Sequence, residues 1–137
     1  MTTEETKRFM THFIEEVINR QNIAATDQLV APDFLEQVPF PGQGPGREGL
    51  KQALQALFTG FPDMHWTVQK QIAEGKKVVT RFRWTGTHSG ALMGIPATQK
   101  PVEVWGVVLD VVRDGLFVES RLLMDTVSLL QQVGVMP

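Results

Sequence analysis

The chain has 137 residues, a formal net charge of −2 and 20% charged residues, so it lacks the basic surplus that nucleic acid or an anionic membrane would select. It contains no cysteine, which excludes disulfides, thiolate nucleophiles and cysteine-held metals, and it contains no tyrosine. The opening Met-Thr-Thr-Glu-Glu-Thr-Lys is not a signal peptide and no apolar run reaches membrane-spanning length, so the expectation is a soluble, cytoplasmic protein with one domain over residues 1–137.

Thr3 to Gln21 reads as an amphipathic helix, because Phe9, Met10, Phe13, Ile14 and Val17 recur at three- and four-residue intervals. Thr2 or Thr3 is its cap. A shorter helix is predicted from Ala24 to Val30, stopped by Pro32. Asp33 to Val38 has the length of one short strand. The next eight residues, Pro39 to Gly46, hold three prolines and three glycines, a composition that fits a rigid loop rimming a pocket. A third helix is predicted from Arg47 to Gly60, with Leu50, Ala53, Leu54, Leu57 and Phe58 as its stripe. Phe61-Pro62-Asp63 is a turn.

Strands are predicted over Met64–Ala73, Lys76–His88, Val102–Arg113 and Leu116–Asp125. The turn signals Glu74-Gly75 and Asp114-Gly115 make the pairing antiparallel. Helices first and a sheet afterwards is an α+β order. Strand alternation puts Val78, Thr80, Phe82, Trp84, Gly86 and His88 on one buried face. It also puts Phe117, Arg121 and Asp125 together. Apolar residues on both faces of the last two strands, Trp105 among them, suggest a homodimer through the outer face of the sheet.

Asp125 has two readings. A carboxylate among Leu122, Leu123, Met124 and Val127 has the surroundings of a general acid/base, because burial disfavours its charge. The same residue, followed by Thr126-Val127-Ser128, also fits the N-cap of a short last helix. His88 is either a satisfied structural histidine or a pocket group. The histidines lack metal-ligand spacing, so no metal is expected.

Taken in order, Ala31-Pro32-Asp33-Phe34, Gly49-Leu50-Lys51, Phe61-Pro62-Asp63, Gly86-Thr87-His88-Ser89-Gly90, Gly94-Ile95-Pro96 and Val118-Glu119…Asp125…Gln132-Val133-Gly134 resemble the SnoaL-like polyketide cyclases of the nuclear-transport-factor-2-like superfamily. The resemblance runs from roughly Phe9 to Gly134. It implies a curved antiparallel sheet wrapped around the N-terminal helices, a cone-shaped α+β barrel with an apolar pocket. It also implies cofactor-free chemistry: an intramolecular aldol ring closure in which an aspartate, here Asp125, moves the proton. His88 joins it as the second catalytic candidate, and Arg121, Gln37, Phe34, Phe58, Trp84, Trp105 and Met124 are the implied substrate contacts. The ligand implied is small, apolar or aromatic, and carbonyl-bearing. Glu36-Gln37 stand where the family often has histidine, and Arg121 where it commonly has tryptophan; an arginine on the pocket face favours a carbonyl-rich or anionic substrate. A steroid-isomerase version is disfavoured by the missing tyrosine. A hydrolase or dehydratase using Asp125 with Glu119 and Arg121 or His88, and a non-catalytic small-ligand-binding dimer module, are the alternatives.

Overall fold

The computed structural model describes residues Met1–Pro137. Helix α1 (Thr3–Phe13) starts with a reciprocal cap: Thr2 Oγ1 accepts the Glu5 N–H at 3.1 Å, and the Glu5 carboxylate accepts the Thr2 N–H at 2.9 Å. The helix continues as a wider π-helical segment, Ile14–Asn19. A short 3₁₀ turn (Ile23–Ala25) and helix α2 (Thr26–Leu29) lead into β1 (Val30–Glu36). Then come α3 (Gly46–Gly60), β2 (His65–Glu74), β3 (Lys77–Thr87), β4 (Pro101–Arg113), β5 (Leu116–Met124) and α4 (Thr126–Gln132). No helix is long and apolar enough to cross a membrane.

The α+β class is as expected. The five strands run in the order β1-β5-β4-β3-β2, and the sheet does not close on itself. β2 to β5 pair antiparallel through the two predicted turns, where Gly75 (φ +58) and Gly115 (φ +76) take the left-handed backbone that a tight hairpin needs. β1 departs from the expectation of an all-antiparallel sheet: it pairs parallel with β5, from Val30↔Phe117 to Glu36↔Ser120. No local turn links those strands, so nothing in a neighbouring dipeptide announces the pairing. β1 also starts before Pro32, because an edge strand tolerates a residue with no N–H to donate.

One irregularity sets the geometry of the site. Between Val111 and Val112 the β4–β5 register slips, so that Val112 faces Phe117 while Val111 faces Glu119. Val118 is the extra residue, and a bulge of this kind reverses which side chains point inward beyond it. Phe117 is inside, and so are Ser120, Leu122 and Met124, whereas Arg121 and Leu123 are exposed. The simple alternation that grouped Phe117, Arg121 and Asp125 therefore fails at Val118.

The core is a cluster of 22 buried apolar residues between the sheet and the helices. Trp66 and Phe82 stack at 3.8 Å with parallel rings. Asn19, at the end of the π-helical segment, exchanges two hydrogen bonds with the Trp66 backbone (2.9 and 2.8 Å) and so fixes the edge strand β2 against the helix.

Candidate active site

The β4 positions Val102, Val104, Gly106, Val108 and Asp110 all face the helices. Four are apolar or small; the fifth is a carboxylic acid. Asp110 is 1% exposed, and neither of its carboxyl oxygens makes a hydrogen bond. It lines an inner cavity of about 60 Å³, whose other walls include Met10, Ile14, Phe34, Leu54 and Trp66. Burial pushes the Asp110 carboxyl well above its usual range; the Ser120 hydroxyl opposes the shift, and the nearby Glu36 charge adds to it. Glu36, at the end of β1, lines the same cavity and is only half-buried. Its carboxyl is also raised by burial, held back by the N–H groups of Val38, Leu122 and Gln37 and by Ser120.

An outer cavity of about 280 Å³ adjoins the first, with Phe40, Leu57 and Leu122 lining both. It is lined by Val38 to Pro41, by Leu92, Met93 and Ile95, and by Leu129, Leu130 and Val133 of the C-terminal segment. Two polar groups face it without partners: Nε2 of His88, a residue 2% exposed, and Nε1 of Trp84. Three contacts hold His88, two through the ring and one through the backbone. Nδ1 lies 3.0 Å from Thr98 Oγ1, the ring stacks on Phe61 at 5.3 Å, and the His88 N–H donates to Lys100 O at 3.0 Å. Just before it, Asp63 takes the Thr87 N–H (2.7 Å) and hydroxyl (2.8 Å), pinning the end of β3. Burial alone would raise the Asp63 carboxyl, but these two donors hold it below the usual range. The 39–46 loop sits close over α3 because Gly49 has no Cβ, which would collide with the Gly44 carbonyl.

A family model for the SnoaL-like polyketide cyclases matches residues 8–133. The chain belongs to the SnoaL-like polyketide cyclase family. TsrD from Streptomyces laurentii superposes with a TM-score of 0.88 at 26% identity, over 99% of each chain. IdmH from Streptomyces antibioticus does so at 0.81 and 34% identity, over 94% of this chain and 98% of its own. AclR from Streptomyces galilaeus, at 23% identity and a TM-score of 0.86 over 99% of this chain and 100% of its own, shares the fold. No curated protein matches in sequence.

Set in the SnoaL-like fold, the residues singled out from sequence separate into three groups. Trp84, His88 and Met124 line the outer cavity, and Phe34 lines the inner one. Phe58 is core. The remainder lie elsewhere. Asp125 is exposed, its Oδ1 accepting the Ser128 N–H at 3.1 Å as the N-cap of α4, and it lines neither cavity. Arg121 and Gln37 are exposed; Gln37 serves the sheet, its N–H donating to Ser120 O at 2.8 Å. Trp105 is 51% exposed on the outer face, with the Arg81 guanidinium 5.2 Å from its ring centre. Asp110 and Glu36, the two acids lining the inner cavity, were not singled out from the sequence. A signal for Asp110 was present: it is the single charged residue in the alternating set Val102, Val104, Gly106, Val108, Asp110. His88 aligns with Lys100, ten positions along the chain from Asp110, and the two line different cavities. No three histidine, aspartate or glutamate side chains converge where a metal could be held.

Proposed function

We propose that this protein is a cyclase-type enzyme in which Asp110, rather than Asp125, moves the proton. The observation that carries the reading is a buried carboxyl with two unpartnered oxygens facing an apolar cavity. A carboxyl in such surroundings exchanges protons nearer neutral pH than an exposed one. As carboxylate it takes a proton from a carbon made acidic by flanking carbonyls. As carboxylic acid it returns that proton to the oxygen of the carbonyl under attack, while the new C–C bond closes the ring. The reaction is an intramolecular aldol addition, balanced with no cofactor.

The substrate class is small, mostly apolar and carbonyl-bearing, in keeping with cavity walls that are nearly all hydrocarbon. In the outer cavity the unpartnered His88 Nε2 and Trp84 Nε1 fit an oxygen at the far end of such a molecule, with Met124 as a wall. His88 is thus a binding group in this reading. A hydrolase or dehydratase is the second reading, favoured by one observation: Glu36 and Asp110 share a cavity, as a pair activating water would. The outer face of the sheet, where Trp105 and Leu123 are 51% and 61% exposed, supports the homodimer reading.

The test is turnover of linear poly-β-ketone thioesters by the wild-type chain, Asp110→Asn and Asp110→Ala. Both variants should lose turnover and remain folded. Full activity in Asp110→Asn removes Asp110 from the mechanism.

A further inference from the structure

Glu36, Ser120 and Asp110 stand in one row across three adjacent strands. Glu36 of β1 is in register with Ser120 of β5, and Ser120 of β5 is in register with Asp110 of β4. With strands about 4.8 Å apart, the two acidic residues are about 10 Å apart at the backbone, with the serine between them. All three side chains line the inner cavity. Glu36 has a second exposure: it also lines an open groove between β1 and the 39–46 loop. Asp110 has none.

We propose that Glu36 is the proton-exchange partner of Asp110, and that the Ser120 hydroxyl relays the proton between the buried carboxyl and the solvent groove. The inference rests on the role given to Asp110 above and assigns how that residue reaches the ionised form in which it starts the reaction. A carboxyl only 1% exposed needs a path by which its resting proton can reach solvent. In one direction, the Asp110 carboxyl gives its proton to Ser120 Oγ as the Ser120 hydroxyl gives its own to the Glu36 carboxylate. One O–H bond forms on the serine as another breaks. Glu36 then releases the proton to water in the groove. The reverse sequence reloads Asp110, and no further reactant is needed.

No other titratable side chain around the inner cavity competes for the proton. Toward the cavity, α1 with its π-helical extension, α3 and β2 present apolar side chains such as Met10, Leu54 and Trp66, and the 39–46 loop adds the neutral Gln43. On β3 the residue opposite Asp110 is Val78. Asp110 and Glu36 are the only titratable groups lining the cavity. Ser120 is in register with both acids and hydrogen-bonded to neither Asp110 oxygen at rest, so the transfer follows a rotation of the serine side chain into reach.

The experiment is infrared spectroscopy of the full chain, following the neutral-carboxyl band that Asp110→Asn removes. No ligand is needed. In Glu36→Gln the midpoint of that band should move to lower pH, because a neighbouring negative charge is gone. In Ser120→Ala it should move to higher pH, because a hydroxyl that favours the anion is gone. On rapid mixing into D₂O the band should exchange about tenfold or more slowly in both variants, since a positioned proton-transfer group is worth ~10²–10⁴-fold. Glu36→Asp should keep fast exchange. A purely structural Glu36 would instead weaken folding in both of its variants and leave the exchange rate alone, and wild-type exchange in Glu36→Gln and Ser120→Ala overturns the relay. Turnover surviving in Asp110→Asn would sink the catalytic reading but leave the exchange result standing, so the two failures are distinguishable.

Discussion

Asp125 Oδ1 accepts the backbone N–H of Ser128 at 3.1 Å, and this bond occupies the carboxylate at the exposed start of α4. An N-cap aspartate replaced by alanine typically costs about 1 kcal/mol, whereas asparagine caps nearly as well. Asp125→Ala should therefore lower stability by about that amount in urea denaturation. Asp125→Asn should be close to neutral, and both should turn over as the wild type does. Loss of turnover in a fully stable Asp125→Asn would return the acid/base role to this residue.

Asp110 gives stability a pH dependence whose sign is fixed. Its carboxyl is raised in the folded chain, so the native state holds the proton more tightly than the unfolded state does. The stability associated with the neutral form is fully present below the ordinary carboxylate range. It is lost as pH rises from there through the raised folded value. The half-buried Glu36 is raised too and acts in the same direction. Urea midpoints measured across that range should fall with rising pH in the wild type and fall less steeply in Asp110→Asn. Parallel slopes would mean that Asp110 is not held neutral.

Leu57 lines both cavities from α3, and removing its side chain should merge them. Leu57→Ala is expected to cost ~2–5 kcal/mol, the range for a buried leucine truncated to alanine. At a temperature where the variant is folded, it should gain affinity for bulkier diketones relative to short ones. Calorimetric titration with two probes of different girth checks the ratio; an unchanged ratio means the partition lies elsewhere.

Gly106 faces the Phe82 ring across β4 and β3. A Cβ there would lie 2.6 Å from Phe82 Cζ and 2.9 Å from the Leu123 carbonyl oxygen. Because Phe82 is stacked on Trp66, the ring has no room to retreat. Gly106→Ala should destabilise by ~1–3 kcal/mol, as overpacking of a dense core does. A crystal structure of the variant should show the Trp66–Phe82 stack displaced.

On the outer face, Val107 is in register with Leu123 and stands two residues from Trp105 on the same strand face, so the three apolar side chains adjoin, with Arg83 opposite Trp105 at their border. Trp105→Glu combined with Leu123→Glu should convert a dimer to a monomer in sedimentation experiments while leaving the far-ultraviolet spectrum intact. A wild-type chain that sediments as a monomer removes the dimer altogether.

Hydrophobic periodicity and two turn dipeptides were enough to read the α+β class, the third helix and the β2–β5 meander, because those signals are local. Thr80, Phe82, Trp84 and His88 are buried as strict alternation requires. What escaped were features that no short window carries. The pairing of β1 with β5 joins residues far apart in sequence, so Glu36 gave no sign of standing near Ser120 or Asp110. The bulge at Val118 turned Arg121 out to solvent, and a period of two projected past it pointed the wrong side chains inward. Asp125 was legible as a cap from Thr126-Val127-Ser128; family position argued for catalysis, and the backbone geometry favoured the cap. The second helix, expected from Ala24 to Val30, is shorter: Ala24 and Ala25 belong to the 3₁₀ turn, and Val30, apolar in either setting, opens the strand.

The parallel pairing of the first strand with the last also governs when this protein becomes itself. Contacts between residues far apart in sequence form late, since the intervening chain must first give up its freedom. Val30 cannot meet Phe117, nor Glu36 meet Ser120, until β5 has been synthesised and has settled against β4. On the ribosome, the helices and the β2–β3 hairpin can therefore form before the strand that completes the inner cavity arrives. A stalled or truncated chain would lack the wall that Phe117, Ser120 and Leu122 supply.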